Sequence, residues 1–477
     1  MTLTAPAPSR STHTGLYVLV VLTIGAYLPS PLLPGYQHDF GFGDLSMTLI
    51  YATFALVSAP ALLLLGPATD VVGPRSVLRA SLIAGAVASL CFALASGPLW
   101  LVAGRAAQGI ALGTATGAAS VLISQNARER GALLASTAFV AGTAAGPIVG
   151  GVLAEHAPAP FMLPFVLHLV ALGYGWSRVS ALPVSAPSGR WRPTRPRIPA
   201  GVRSVFGVSA ATGFLAWTAV GLFLSLIPAL LDRAGHTDLA VSGSVLGAVL
   251  ICSVLTQPLV SRWGAHRAQL HGLRALFVSL VLLALAGGGS PLVTLVAAVT
   301  AGAGHGLAYG GAAAAVERTA PPAQRGAITG ALYLAFYLGA GCPAIAVGII
   351  ALGEPLSTAT SWVAVAAAAL ALLTLLIAKS LAPGRSARQH QRDASGRSTT
   401  HFTSGERGGD RRPGARPRRE RGACCTTCSP SSCTSHRLRW SSGRRWCCPG
   451  PAASRSRRRG SAPSSTWWRG WLSRGTP

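Results

Sequence analysis

Charge is scarce in this chain of 477 residues. Asp, Glu, Lys and Arg make up 11% of it, and the single lysine is Lys379. So little charge at a mean hydropathy of +0.46 excludes an ordinary soluble protein of this length and makes the bilayer the solvent for most of the chain. Cysteine is also thin. Before residue 383 only Cys91, Cys252 and Cys342 occur, each isolated in apolar sequence, which excludes a disulfide framework there. No Ser/His/Asp constellation, metal-ligand set or phosphate-binding loop is found in that part, so an enzyme is not expected. The formal net charge of +27 suggests nucleic acid at first sight, but its distribution argues otherwise. From residue 383 onward there are 21 arginines against 4 acids, whereas residues 1–382 hold 19 basic against 9 acidic residues. Nucleic acid is therefore not an expected partner of the body.

What the sequence has in quantity is long apolar stretches, near 15–35, 46–67, 76–96, 99–123, 131–154, 160–180, 203–230, 241–260, 271–289, 291–316, 325–352 and 358–380. Each approaches the roughly 20 residues that cross the hydrocarbon core. Arginine alternates across the gaps between them. One set of gaps holds Arg10, Arg75, Arg79, Arg128, Arg130, Arg178, Arg262, Arg267, Arg274, Arg318, Arg325 and the arginines between 190 and 203; the other set holds only Arg233. Short arginine-bearing loops stay cytoplasmic during insertion. The expectation is an all-α polytopic protein of twelve transmembrane helices in the cytoplasmic membrane, with both termini inside. The first span is full-length and lacks a strongly basic leader, so it is read as a retained anchor.

The chain also repeats itself. Arg130-Gly-Ala meets Arg325-Gly-Ala, the stretch from Gly66 meets that from Gln257 with Gly73 opposite Gly264, and Gly109 falls opposite Gly304. Three matches in one order at nearly one offset indicate two pseudo-repeated halves, an organisation used by carriers that expose a midplane site alternately to each side. The expected division is a cytoplasmic N-terminus over 1–14, six helices over 15–180, a basic cytoplasmic linker over 181–202, six helices over 203–380, and an Arg/Ser/Cys-rich tail over 381–477. The tail has no hydrophobic periodicity. Its cysteines lack zinc-site spacing, and it is expected to be disordered.

Three motifs carry a resemblance. The loop Gly66-Pro-Ala-Thr-Asp70-Val-Val-Gly73-Pro-Arg75 is similar to the G-x-L-a-D-r-x-G-r-k pattern of the major facilitator superfamily, with Val71 and Pro74 standing where basic residues are usual. Arg105-x-x-Gln108-Gly109 resembles that family's R-x-x-Q-G. Gly142-x3-Gly146-Pro147-x2-Gly150-Gly151 resembles the helix-5 motif of its drug-export branch. The resemblance implies a conformational latch at Gly66, Asp70, Gly73 and Arg75, with Asp70 facing Arg75 and a helix N-terminus. It also implies a role for Arg105 in proton or substrate movement, and proton-coupled antiport of drug-like molecules without a bound cofactor or metal.

The residues can be read without the family as well. Gly142, Gly146 and Gly150, at i, i+4 and i+8, form a smooth stripe for close helix approach, and Pro147 bends the helix at a pivot. Arg105 is the one charged side chain expected at mid-depth, where insertion costs about 2.5–3.5 kcal/mol, and Gln108 is its nearest partner. His305 is a coupling candidate; His168 is expected to lack a partner. Pro29, Pro31 and Pro34 break helix 1 and free carbonyls. Tyr51, Phe54, Trp217, Phe223, Tyr333 and Tyr337 suit hydrophobic solutes. No carboxylate lies well inside a span, and Asp39 and Glu317 are the nearest substitutes. The leading expectation is a monomeric exporter of small hydrophobic molecules. A metabolite importer, or a transporter-like protein that moves no solute, is the alternative.

Overall fold

The computed structural model describes residues 10–127, 131–184, 198–286, 290–321 and 324–381. The first nine residues, residues 185–197 of the expected linker, and the tail from 382 lie outside the described residues, as does the side chain of Asp70. Every long element described is helical: α1 (Arg10–Tyr27), α2 (Leu33–Phe40), α3 (Asp44–Leu65), α4 (Ala68–Ala93), α5 (Pro98–Ala127), α6 (Gly131–His156), α7 (Leu163–Ser180), α8 (Arg203–Arg233), α9 (Leu239–Thr256), α10 (Pro258–Trp263), α11 (Ala265–Ala286), α12 (Pro291–Thr319), α13 (Arg325–Ile350) and α14 (Leu356–Ser380). Among the described residues, ten helices are long and apolar enough to cross a membrane. The two other long ones, α1 and α7, carry polar residues, Arg10 and His13 in the first and His168 and Arg178 in the second, that dilute their hydropathy.

Local sequence explains where the helices end. The first span, expected to run to residue 35, instead stops at Tyr27. Pro29 has no N–H, so the carbonyl of Gly25, four residues earlier, loses its helical donor. The Ser30 N–H then turns back to the Tyr27 oxygen at 3.2 Å, which leaves the Ala26 carbonyl open too. A short α2 follows, with Pro34 in its first turn, and closes on Gly41 in the left-handed region at φ 65°. The expected span 241–260 is likewise divided, because Pro258 starts the separate α10.

The sequence repeat recurs in the backbone. Gly73 has φ 80° and ψ 157°, and Gly264 has φ 80° and ψ 154°. Only glycine is at ease in that region, so the two loops turn by one device. Helices α1 to α7 pack mainly among themselves, as do α8 to α14, and the two groups meet where α3 packs on α13 and α6 on α9. Small residues make both seams. A β-carbon at Gly243 would meet the Pro147 carbonyl, one at Gly151 would lie 3.1 Å from Gly243 Cα, and one at Gly341 would lie 3.5 Å from Ala55. Interfaces this close gain dispersion contact where lipid supplies no hydrophobic drive between helices.

The helix-5 stripe serves a different neighbour from the seam. Added β-carbons at Gly142 and Gly146 would stand 2.7 and 2.8 Å from the carbonyl oxygens of Val20 and Ile24, and Gly150 lies on the Leu28 carbonyl. The stripe therefore fits α6 to α1 within the first group, while Pro147 and Gly151 face α9.

Candidate functional site

Arg105, on α5, is 1% exposed. Its Nη1 donates to the Ala26 carbonyl at 2.7 Å and to Gln108 Oε1 at 3.2 Å, and Gln108 Nε2 donates to the Gly25 carbonyl at 2.7 Å. These two acceptors are the carbonyls left open by the proline-broken end of α1. The pair therefore replaces the missing turn of one helix with side chains from another. The guanidinium lies 5.8 Å from the ring centres of both Tyr51 and Phe92. Its Nε and Nη2 have no partner. Both salt bridges among the described residues lie elsewhere, so this buried cation is held by dipoles and ring faces alone. By the repeat, Gly109 stands opposite Gly304, so Arg105 stands opposite Thr300. The Thr300 hydroxyl bonds back to Val296 O at 2.7 Å, and the second half carries no matching charge.

His305, on α12, is fully buried. Its Nδ1 shares a 2.8 Å hydrogen bond with Ser253 on α9. Its ring stands edge-on to Trp217 at 4.8 Å and stacks on Tyr309 at 5.3 Å, and the Tyr309 hydroxyl meets that of Tyr333 at 3.1 Å. Phe139, from α6 of the first group, closes on Trp217 at 6.4 Å. Of the six aromatic residues read from the sequence, Trp217 and Tyr333 join this nest. Tyr51 borders Arg105, and Phe54 packs on Tyr27 at 5.6 Å.

His168 departs from its expected isolation. Ser89 on α4 reaches its Nδ1 at 2.7 Å, and its Nε2 donates to Val21 O at 3.0 Å, so it ties α7 to α4 and α1. Asp39 and Glu317 are both exposed, and neither enters the interior. In the loop from Gly66 to Arg75, the Arg75 Nη1 donates to Leu182 O at 3.0 Å, just past the C-terminus of α7, where exposed carbonyls favour a cation.

At the opposite end of the bundle, charge crosses between the two groups. Arg233, in the last turn of α8, forms a two-pronged pair with Asp44 at the start of α3, and Gln37 Nε2 donates to the same carboxylate at 2.9 Å. His38 Nε2 meets Asp232 Oδ2 at 2.9 Å, and the Leu239 N–H donates to Glu155 Oε2 at 2.9 Å. No local spacing in the sequence relates Asp44 to Arg233, so these ties appear only in the fold.

A polytopic helical protein with two packed groups, a glycine-lined seam and a lone buried cation has the construction of a membrane carrier. The chain belongs to the Major Facilitator Superfamily, whose model matches residues 16–343. It is 31% identical over 284 residues to the class C tetracycline resistance protein of Escherichia coli, a match covering 55% of this chain and 70% of that protein. It is also 31% identical over 193 residues to the cephamycin export protein CmcT of Amycolatopsis lactamdurans, where the match covers 38% of each. Among solved structures, a bacterial homolog of the human lysosomal transporter Spinster, inward-facing and unoccupied, aligns with a TM-score of 0.61 at 14% identity. That alignment covers 78% of this chain and 97% of that one, a likeness of fold.

Proposed function

We propose that the chain is a proton-coupled exporter in the cytoplasmic membrane that works as a monomer by alternating access on small hydrophobic or drug-like molecules. Twelve spans with both ends inside, and six-helix halves at 15–180 and 203–380, are part of this reading. The observation that carries it is the buried Arg105, held on the open carbonyls of Gly25 and Ala26 with two donors to spare. Such a cation is costly in lipid and is retained where it faces a pathway. It supports a cycle in which Arg105 exchanges partners as α1 and α5 shift, sensing solute or proton in the cavity. The Asp44–Arg233, His38–Asp232 and Glu155–Leu239 ties then belong to the closed outer side, and the Gly66–Arg75 loop to the inner side. The relatives' names, tetracycline resistance and cephamycin export, support export of antibiotic-sized solutes.

The absence of a carboxylate deep in any described span favours a second reading, a facilitator of one metabolite. Uptake into everted vesicles separates the two. Accumulation of several unrelated drugs that collapses with an uncoupler supports the exporter, and uptake of a single metabolite insensitive to it supports the facilitator.

A further inference from the structure

Two serine–histidine pairs occur among the described residues, and in only one of them does the second ring nitrogen find a partner. In both, a serine hydroxyl meets Nδ1 of a buried histidine, at 2.7 Å for Ser89–His168 and 2.8 Å for Ser253–His305. Among the described residues the Ser253 hydroxyl has that nitrogen alone as a polar partner. We assign the His305 proton to Nε2, the tautomer that His168 has in the first pair, where Nε2 donates to the Val21 carbonyl. In the first pair the Nε2–H is satisfied by Val21 O. In the second it has no partner, although the residue is fully buried. The indole N–H of Trp217, 7% exposed, has none either. Two unpaired donors thus sit on rings 4.8 Å apart, enclosed by Tyr309 and by Phe139 from the other group of helices.

Chance packing does not account well for this arrangement. Buried polar groups are nearly always paired, and each exception asks for a ligand, a water or a mechanism. Glycines flank the site: added β-carbons at Gly304 and Gly306 would strike α11 and α9, so α12 lies close against both helices on either side of His305. The surrounding rings offer flat apolar faces, and among the described residues of the nest there is no charge. What is missing is an acceptor oxygen on a flat, uncharged body.

We infer that Trp217 and His305 form a hydrogen-bonding subsite for planar aromatic solutes bearing a carbonyl oxygen. The indole and imidazole N–H groups bind the oxygen, while Tyr309, Tyr333 and Phe139 cover the ring. The subsite deepens the export reading, because it sets which hydrophobic solutes are held. Because Phe139 comes from one helical group and Trp217 and His305 from the other, movement between the groups opens or covers it.

A matched pair of probes tests this on the full-length protein in nanodiscs, with empty nanodiscs subtracted. 1-Aminoanthraquinone and 1-aminoanthracene share a three-ring frame, and only the first has carbonyl oxygens. The parent is expected to bind the quinone more tightly. Trp217→Phe keeps a ring but removes the N–H and is expected to weaken quinone binding roughly three- to tenfold, the worth of one net hydrogen bond, with anthracene binding within about twofold. His305→Phe should act alike, and His305→Gln, which restores a donor, should recover part of the loss. The inference is overturned if the parent shows no preference, if the preference survives both ring-for-ring variants, or if both probes are lost together, which would assign the nest to packing. Binding is read without a gradient. A chain that prefers the quinone but accumulates no solute in vesicles would sink the export reading and leave the subsite standing.

Discussion

The Asp44–Arg233 pair offers a test of alternating access that does not depend on the solute. It joins the start of α3 to the end of α8, one from each helical group, and in the proposed cycle it exists only while that end is closed. Exposed ion pairs are worth about 0.2–1 kcal/mol. This one is two-pronged, its carboxylate is 17% exposed and it accepts a further bond from Gln37, so we place it at the upper limit, about 1 kcal/mol. Because 1.4 kcal/mol is a factor of ten, Asp44→Asn should move the closed-to-open ratio about fivefold toward open. The His38–Asp232 and Glu155–Leu239 ties remain, so closure should weaken without being abolished. Spin labels at His156 and Thr237, both exposed and on opposite sides of the seam, report the separation by pulsed dipolar spectroscopy in a cysteine-free background. The double exchange Asp44→Arg with Arg233→Asp should restore much of the closed population. An unchanged distribution in Asp44→Asn, or an exchange no better than the single variant, would refute the assignment of these charges to a gate.

Other consequences are structural. Gly73→Ala and Gly264→Ala should each cost about 1–3 kcal/mol, since both positions require a backbone conformation that side chains resist; thermal unfolding in detergent should show similar losses at the two repeat positions. Gly146→Val should lower stability further than Val149→Ala, because its β-carbon would press on Ile24 O and Tyr27 whereas Val149 is 39% exposed. His168→Phe removes the bonds to Ser89 and Val21 O and should reduce thermal stability while leaving the quinone preference intact, which would separate the complete pair from the incomplete one.

Much of the architecture is legible in residue order, for definite reasons. Apolar runs locate the helices because lipid demands them, and the repeated Gly73 and Gly264 mark one turn used twice, visible as a sequence match and as a shared φ of 80°. The proline cluster accounts for the early end of α1 at Tyr27, although the apolar stretch continues through it to residue 35. What residue order cannot supply is the partner of each buried group. Arg105 meets Ala26, 79 residues away, and His168 meets Ser89 at the same separation, so both contacts depend on how helices pack. Pairs with no sequence spacing in common, such as Asp44 with Arg233 and Ser253 with His305, are invisible for the same reason. The i, i+4, i+8 spacing of the helix-5 glycines shows a smooth stripe, but only the fold shows that the stripe faces α1 and leaves the seam to Pro147 and Gly151.

The most direct test of the central claim is proton movement driven by solute. Purified full-length protein is reconstituted into acid-loaded liposomes containing a pH-reporting dye, and tetracycline is added outside. The account predicts loss of internal protons that requires both solute and protein and that disappears in Arg105→Gln, with the variant shown to be folded. Solute uptake with no change in internal pH would contradict proton-coupled export by this chain.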